Sequence, residues 1–80
     1  MTARPAVVEA LREAEAEAYA IALYLLRDER LAVRAATEAL VRLSRNPRWA
    51  GLPGNERRAA MKRETMKAAL AEERRKRATS

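Results

Sequence analysis

Ala18–Leu43 reads AYAIALYLLRDERLAVRAATEALVRL, and this stretch decides the fold. Both halves are apolar and rich in alanine, and the single break between them is Arg27-Asp28-Glu29. No alternation of period two competes with a helical reading. Asp28 suits a helix N-cap, because its carboxylate can accept the free N–H groups of the next turn, and Leu31 begins a new apolar run. The stretch therefore predicts one helix ending near Arg27, a tight corner, and a second helix over about 29–45.

Upstream, Pro5 reads as an early helical position, where its missing N–H costs nothing. Val7, Leu11, Ala14, Ala18, Ile21 and Leu25 recur at spacings of four and three, a heptad-like apolar seam for a first helix over about 5–27. Glu9, Glu13 and Glu17 form a like-charge row on its outer face, slightly unfavourable in itself and partly offset by the helix dipole. From Tyr19 onward the helix is apolar all round, so it must be covered on more than one side. Tyr19 and Tyr24 are accordingly expected in the core, with base stacking as their alternative use.

The second helix sets Ala32, Val33, Ala36, Ala39, Leu40 and Leu43 on one face and the i,i+4 pairs Arg34–Glu38–Arg42 on the other. Small side chains at 32, 35, 36 and 39 allow the two helices to approach closely as an antiparallel hairpin. Residues 46–55 read as loop, with Asn46-Pro47, Gly51 and a Pro53-Gly54 pair suited to a type II turn. Trp49, beside Leu52, is expected to fold back over the end of the two-helix core; an exposed Trp49 would instead serve a partner.

Asn55 can cap a third helix over about 56–76, with a frayed tail at 77–80. Ala59, Met66 and Leu70 fall in one narrow stripe of that helix and Met61 lies far from it. Late i,i+4 pairs are expected at Glu72–Lys76 and Glu73–Arg77. Such a helix packs along a thin seam or projects into solvent. The fold class is all-α, a small three-helix domain spanning 1–80.

The charge is uneven. Residues 1–46 hold seven basic and seven acidic side chains, residues 47–80 ten and four, so the net +6 belongs to the C-terminal part. A cationic excess that a compact fold does not need marks contact with a polyanion or an acidic protein surface. The 80 residues suffice for one small domain that buries only about 60% of its unfolded surface, so stability is marginal. Cysteine and histidine are both absent, which removes disulfides, thiolate metal sites and the commonest metal ligand. Glu13, Glu15 and Glu17 make no plausible acid–base pair, since no apolar cleft separates their pKa values. No cofactor motif and no nucleophile–base set is present, so an enzyme is not expected. The N-terminal residues lack a signal-peptide pattern, and the most apolar run, 18–26, is too short to span a bilayer; a cytoplasmic protein with no membrane contact is the expectation.

Ala18-Tyr19, Ala22, Tyr24-Leu25-Leu26, Asp28-Glu29, Leu31-Ala32, Ala35, Glu38-Ala39 and Arg42-Leu43 resemble region 2 of bacterial sigma factors, especially the extracytoplasmic-function type. The resemblance covers about residues 18–45. It implies that the second helix faces the clamp coiled coil of RNA polymerase and that the segment after it meets promoter DNA as a single strand. Val33 and Arg34 stand where that family has an acidic pair, Thr37 where it has Gln, and Leu40 where it has an aromatic, and Arg34 reverses a charge. The aromatic-rich melting segment is reduced to Trp49.

The reading is thus a non-catalytic binding module resembling a truncated sigma region 2, contacting DNA, single-stranded or duplex, and/or RNA polymerase core in bacterial transcription or its regulation. The nucleic-acid candidates are Arg57, Arg58, Lys62, Arg63, Lys67, Arg74, Arg75, Lys76 and Arg77. The partner candidates are Arg34, Glu38, Arg42 and Trp49. The competing expectation is a protein–protein or self-association module, a homodimer covering the 19–26 segment, with no nucleic-acid role.

Overall fold

The computed structural model describes the backbone of residues 3–79 and the side chains of residues 7–79. Three helices follow one another: α1 (Ala3–Leu26), α2 (Glu29–Ser44) and α3 (Gly54–Thr79), with a 3-10 turn at Trp49–Gly51 between the last two. No strand occurs among the described residues, and none of the described helices is long and apolar enough to cross a membrane.

The α1–α2 corner forms through local chemistry. Arg27 adopts φ 53, the left-handed conformation of a helix-terminating residue, and its N–H still bonds to the Leu23 carbonyl at 2.8 Å. Asp28, with extended backbone, then accepts the Leu31 N–H on its carboxylate at 3.1 Å, the cap that its position implied. α2 returns antiparallel to α1. α3 runs parallel to α1, since Arg58 meets Glu17 near one end and Ala68 and Ala69 pack with Ala22 and Leu26 further along.

The helices meet through alanines. On α1 the buried positions are Ala10, Ala14, Ala18, Ala22 and Leu26, a single row of spacing four. The expected seam had Ala14 and Ala18 right, but Leu25 is exposed and Val7, Leu11 and Ile21 are only half-buried. A row at spacing four is one of the ridges along which helices interdigitate, and alanine lets the axes come close; bulkier residues at the flanks are left straddling the contact. On α2, Ala32, Ala35, Ala36, Ala39 and Leu43 are buried, as the close-approach reading required, while Val33 turns out to solvent.

The larger correction concerns α3. Its buried residues are Met61, Thr65, Ala68, Ala69 and Glu72; the helix packs along these, while the narrow stripe of Ala59, Met66 and Leu70 faces solvent. Thr65 can be buried because its hydroxyl donates to the Met61 carbonyl at 2.8 Å. Glu72 can be buried because the Arg34 guanidinium lies 3.4 Å away and that of Arg75 3.7 Å away. The anticipated Glu72–Lys76 pair therefore does not form. On α2 only the Glu38–Arg42 half of the expected ladder forms, at 3.2 Å, because Arg34 is drawn to Glu72.

Trp49 closes one end of the bundle. It is 1% exposed, and its indole N–H donates to the Arg57 carbonyl at 2.9 Å, so a large apolar ring is buried without orphaning its one donor. Leu52 and Ala50 pack against the same cluster. Pro53-Gly54 makes no type II turn: Gly54 has no positive φ and opens α3, and the Arg57 N–H bonds back to the Pro53 carbonyl at 2.8 Å. Asn55 accordingly lies inside the helix instead of capping it. At the other end α3 continues to Thr79, whose hydroxyl bonds to the Lys76 carbonyl at 3.1 Å, so residues 77–79 are helical where fraying was expected.

Candidate nucleic-acid interface

The cationic residues of α3 divide according to which helix face each occupies. Arg57 is drawn inward. Its side chain is 28% exposed and lies 3.5 Å from Glu13, and its guanidinium reaches the carbonyls of Ala50 and Leu52 at 3.5 and 3.4 Å. It therefore fastens the segment after α2 to the start of α3 and to α1. Arg58 donates to Glu17 at 2.7 Å; that hydrogen bond, and then the Glu17 charge, raise the guanidinium's pKa above its ordinary value. A raised folded-state pKa contributes stability below the unfolded value, lost only as pH rises through the folded one, so the guanidinium stays charged at every ordinary pH. Glu13 and Glu17 of the like-charge row on α1 are thus matched by these two arginines. An acidic pair at i,i+4 facing two adjacent arginines on a partner helix is the sequence signal that could have assigned them.

Arg75 and Lys67 have partners on their own helix, Glu72 at 3.7 Å and Glu64 at 3.7 Å, yet both side chains remain more than half exposed. Lys62, Arg63, Arg74 and Lys76 are exposed and make no ion pair among the described residues.

Arg63, Lys67, Leu70, Arg74 and Arg77 follow one another at spacings of four and three, and all five are exposed. That spacing places them on one stripe, on the side of α3 away from Met61, Ala68 and Glu72. No carboxylate interrupts it. At about 1.5 Å per residue the stripe from Arg63 to Arg77 is about 21 Å long. That length corresponds to about six base-pair steps along a duplex axis at about 3.4 Å each. Met66, 52% exposed, and Leu70, 56% exposed, lie beside or within the cations. Their stripe is expected to pack along a thin seam or to project into solvent, and it is the second that occurs.

On α2, Arg34 is held by Glu72, and Arg42 by Glu38 and, at 3.8 Å, by Glu64. Trp49 is buried and leaves the set of partner-facing candidates. What the outer side of α2 does present is Val33, 53% exposed, and Val41, 41% exposed, with Thr37 between them. No group of three or more His, Cys, Asp or Glu that could hold a metal occurs among the described residues. No family model, no curated protein and no solved structure matches the chain.

Proposed function

We propose that this domain is a non-catalytic binding module that lays the outward stripe of α3 along the phosphate backbone of a nucleic acid, in bacterial transcription or its regulation. One observation carries the reading: Arg63 and Arg74, exposed and without an ion pair among the described residues, share one face of α3 with the exposed Lys67 and Arg77. The resemblance of residues 18–45 to sigma region 2 supplies the setting, and with it the cytoplasm. Arg57 and Arg58 act as internal fasteners in this scheme and contribute little to binding. Contact with phosphates leads to affinity without strong base preference, since phosphate contacts position a ligand and carry no sequence.

The test is a salt titration of binding to fluorescent single-stranded and duplex DNA. The expected slope of log K against log salt reflects several phosphates, and Arg63→Gln and Arg74→Gln should each reduce it by about one. Arg57→Gln should leave the slope unchanged. Absence of binding at ~50 mM salt overturns the reading.

A second reading, contact of α2 with a protein such as RNA polymerase core, is favoured by the exposed Val33–Thr37–Val41 strip bordered by Glu38, whose side chain is 38% exposed. Retention of core polymerase by the native chain and its loss with Glu38→Lys would support it, while equal retention by both would remove Glu38 from any contact.

A further inference from the structure

Beyond Glu72 the packed face of α3 continues, but its residues change from alanine to cations. Arg75 and Lys76 follow Glu72 at three and four residues, the spacings that return to one side of a helix. Both therefore face α2, away from Arg63, Lys67, Arg74 and Arg77. The start of α2 supplies the opposite wall with Arg30, Leu31 and Arg34, and Asp28 stands at the corner. Between the two walls lies an open cleft of about 380 Å³, within the roughly 300–1,000 Å³ of small-molecule sites.

The charges of this cleft do not balance. Arg30, Arg34, Arg75 and Lys76 line it against Asp28 and Glu72, so four positive and two negative side chains leave a surplus of two. Both carboxylates are already engaged. Glu72 Oε2 lies 3.4 Å from Arg34 Nε and 3.7 Å from Arg75 Nη1, and Asp28 accepts the Leu31 N–H at 3.1 Å. Arg30 and Lys76 are exposed and make no ion pair among the described residues. Like charges gathered in one concavity repel one another, and an anion between them relieves the repulsion.

Glu72 also sets geometry. Its side chain is only 6% exposed, and two guanidinia from different helices converge on its one oxygen, so it holds them side by side. Each guanidinium has five N–H donors and keeps others for the cleft. Planar forks of this kind match the oxygens of a phosphate, often in pairs. Among the described residues Leu31 is the one apolar side chain on the walls, and no aromatic ring lines them. The cleft therefore suits a compact, highly charged group and offers nothing on which a base could stack.

We infer that this cleft binds a phosphoryl group carrying two negative charges. The dianion cancels the surplus: Arg34 and Arg75 grip it from the Glu72 side, and Arg30 and Lys76 close on it from the two walls. The site shares no residue with the outward stripe of α3, so it stands whether or not that stripe meets nucleic acid.

Titration of the full chain with inorganic phosphate and with phenyl phosphate, followed by amide chemical shifts at ~150 mM sodium chloride, tests this. Binding should saturate at one phosphoryl group per chain, with the largest shifts at residues 28–34 and 72–79. Arg30→Gln and Lys76→Gln should each weaken it at least about tenfold, as the loss of one charge-assisted contact implies. The two residues lie on opposite walls, so either variant alone tests the cleft should the other lose its helical circular dichroism. Arg48→Gln removes the same charge beside Trp49, at the far end of the bundle, and should leave affinity within about twofold. Phenyl phosphate binding at least as tightly as inorganic phosphate assigns a phosphorylated molecule as the ligand, and weaker binding assigns the free ion. No saturation by ~10 mM overturns the inference. So does equal weakening by all three variants, the mark of diffuse charge attraction, or an affinity indifferent to Arg30→Gln or Lys76→Gln.

Discussion

The two ends of this bundle are filled in opposite ways. Where the segment after α2 folds back, the core holds Trp49 and Met61 with Leu43, Leu52 and Leu11 around them. Toward the α1–α2 corner it holds Ala22, Ala32, Ala35, Ala68 and Ala69, with Leu26 as the single bulky buried member. The first end gains stability from apolar area: a fully buried large side chain is worth about 1.5–3 kcal/mol. Alanine removes little area from water, and its use is to let three helix backbones approach closely. Close approach has a geometrical consequence. With alanines occupying the contact rows, Tyr24, Leu25, Met66 and Leu70 have no room inside and are displaced to the surface. The alanine-lined end thereby creates the exposed apolar edge that the Trp49 end lacks.

The strongest way to break the contrast is Trp49→Ala. A ring that is 1% exposed, with its N–H satisfied, should cost about 3–5 kcal/mol when truncated. A domain of this size has roughly 4–12 kcal/mol in total. Chemical denaturation should therefore show most of the stability gone. A loss below about 1 kcal/mol would mean that the bundle stands without that cap.

The alanine end fails in the other direction. Ala22 is fully buried among the alanines of α2 and α3, so Ala22→Leu forces the helices apart and should cost about 1–3 kcal/mol despite adding apolar surface. The same substitution at exposed Ala20 should lie within about 0.5 kcal/mol of the native value. Equal effects at the two sites, read from urea midpoints, would contradict close helix approach.

Local chemistry is what the sequence displays openly. Asp28, the break at Arg27-Asp28-Glu29 and the alanines of α2 specify the hairpin from residues a few places apart, and the hairpin forms as those residues indicate. The seam of α3 was hidden because its decisive interactions come from elsewhere. A wheel that sorts residues by polarity places Met66 and Leu70 inside and Glu72 outside. The fold inverts this: Arg34, on another helix, neutralises Glu72, and Thr65 satisfies its hydroxyl on its own backbone. The candidate interface was legible to the same extent. Its cations could be counted, but separating Arg57 and Arg58 from Lys62 and Arg63 depends on where Glu13 and Glu17 come to lie.

Glu72 provides a sharper probe of that inversion. Glu72→Gln keeps the side chain's shape and removes the charge that holds Arg34 and Arg75. Both arginines are more than half exposed and can turn to water, so the loss stays well below that of an orphaned buried charge, about 1–2 kcal/mol. In a double-mutant cycle with Arg34→Met the two substitutions should be non-additive. Strict additivity would show that the 3.4 Å contact contributes nothing to folding.

The smallest expected effect is a gain, and it lies at the corner that joins the two modes of packing. Arg27 terminates α1 with φ 53, a conformation that costs an L-residue roughly 1–2 kcal/mol because its Cβ crowds the following carbonyl. Glycine is the usual occupant of this position, since it has no Cβ to crowd. Part of the relief is returned, because glycine also gains freedom in the unfolded chain. Arg27→Gly should therefore stabilise by up to about 1 kcal/mol, a rise of several degrees in Tm for a domain of this length. Arg27→Ala separates conformation from charge: alanine removes the guanidinium but keeps the Cβ, so it should give no such rise. Equal gains from both substitutions would attribute the effect to the lost cation and leave the left-handed backbone without an energetic cost.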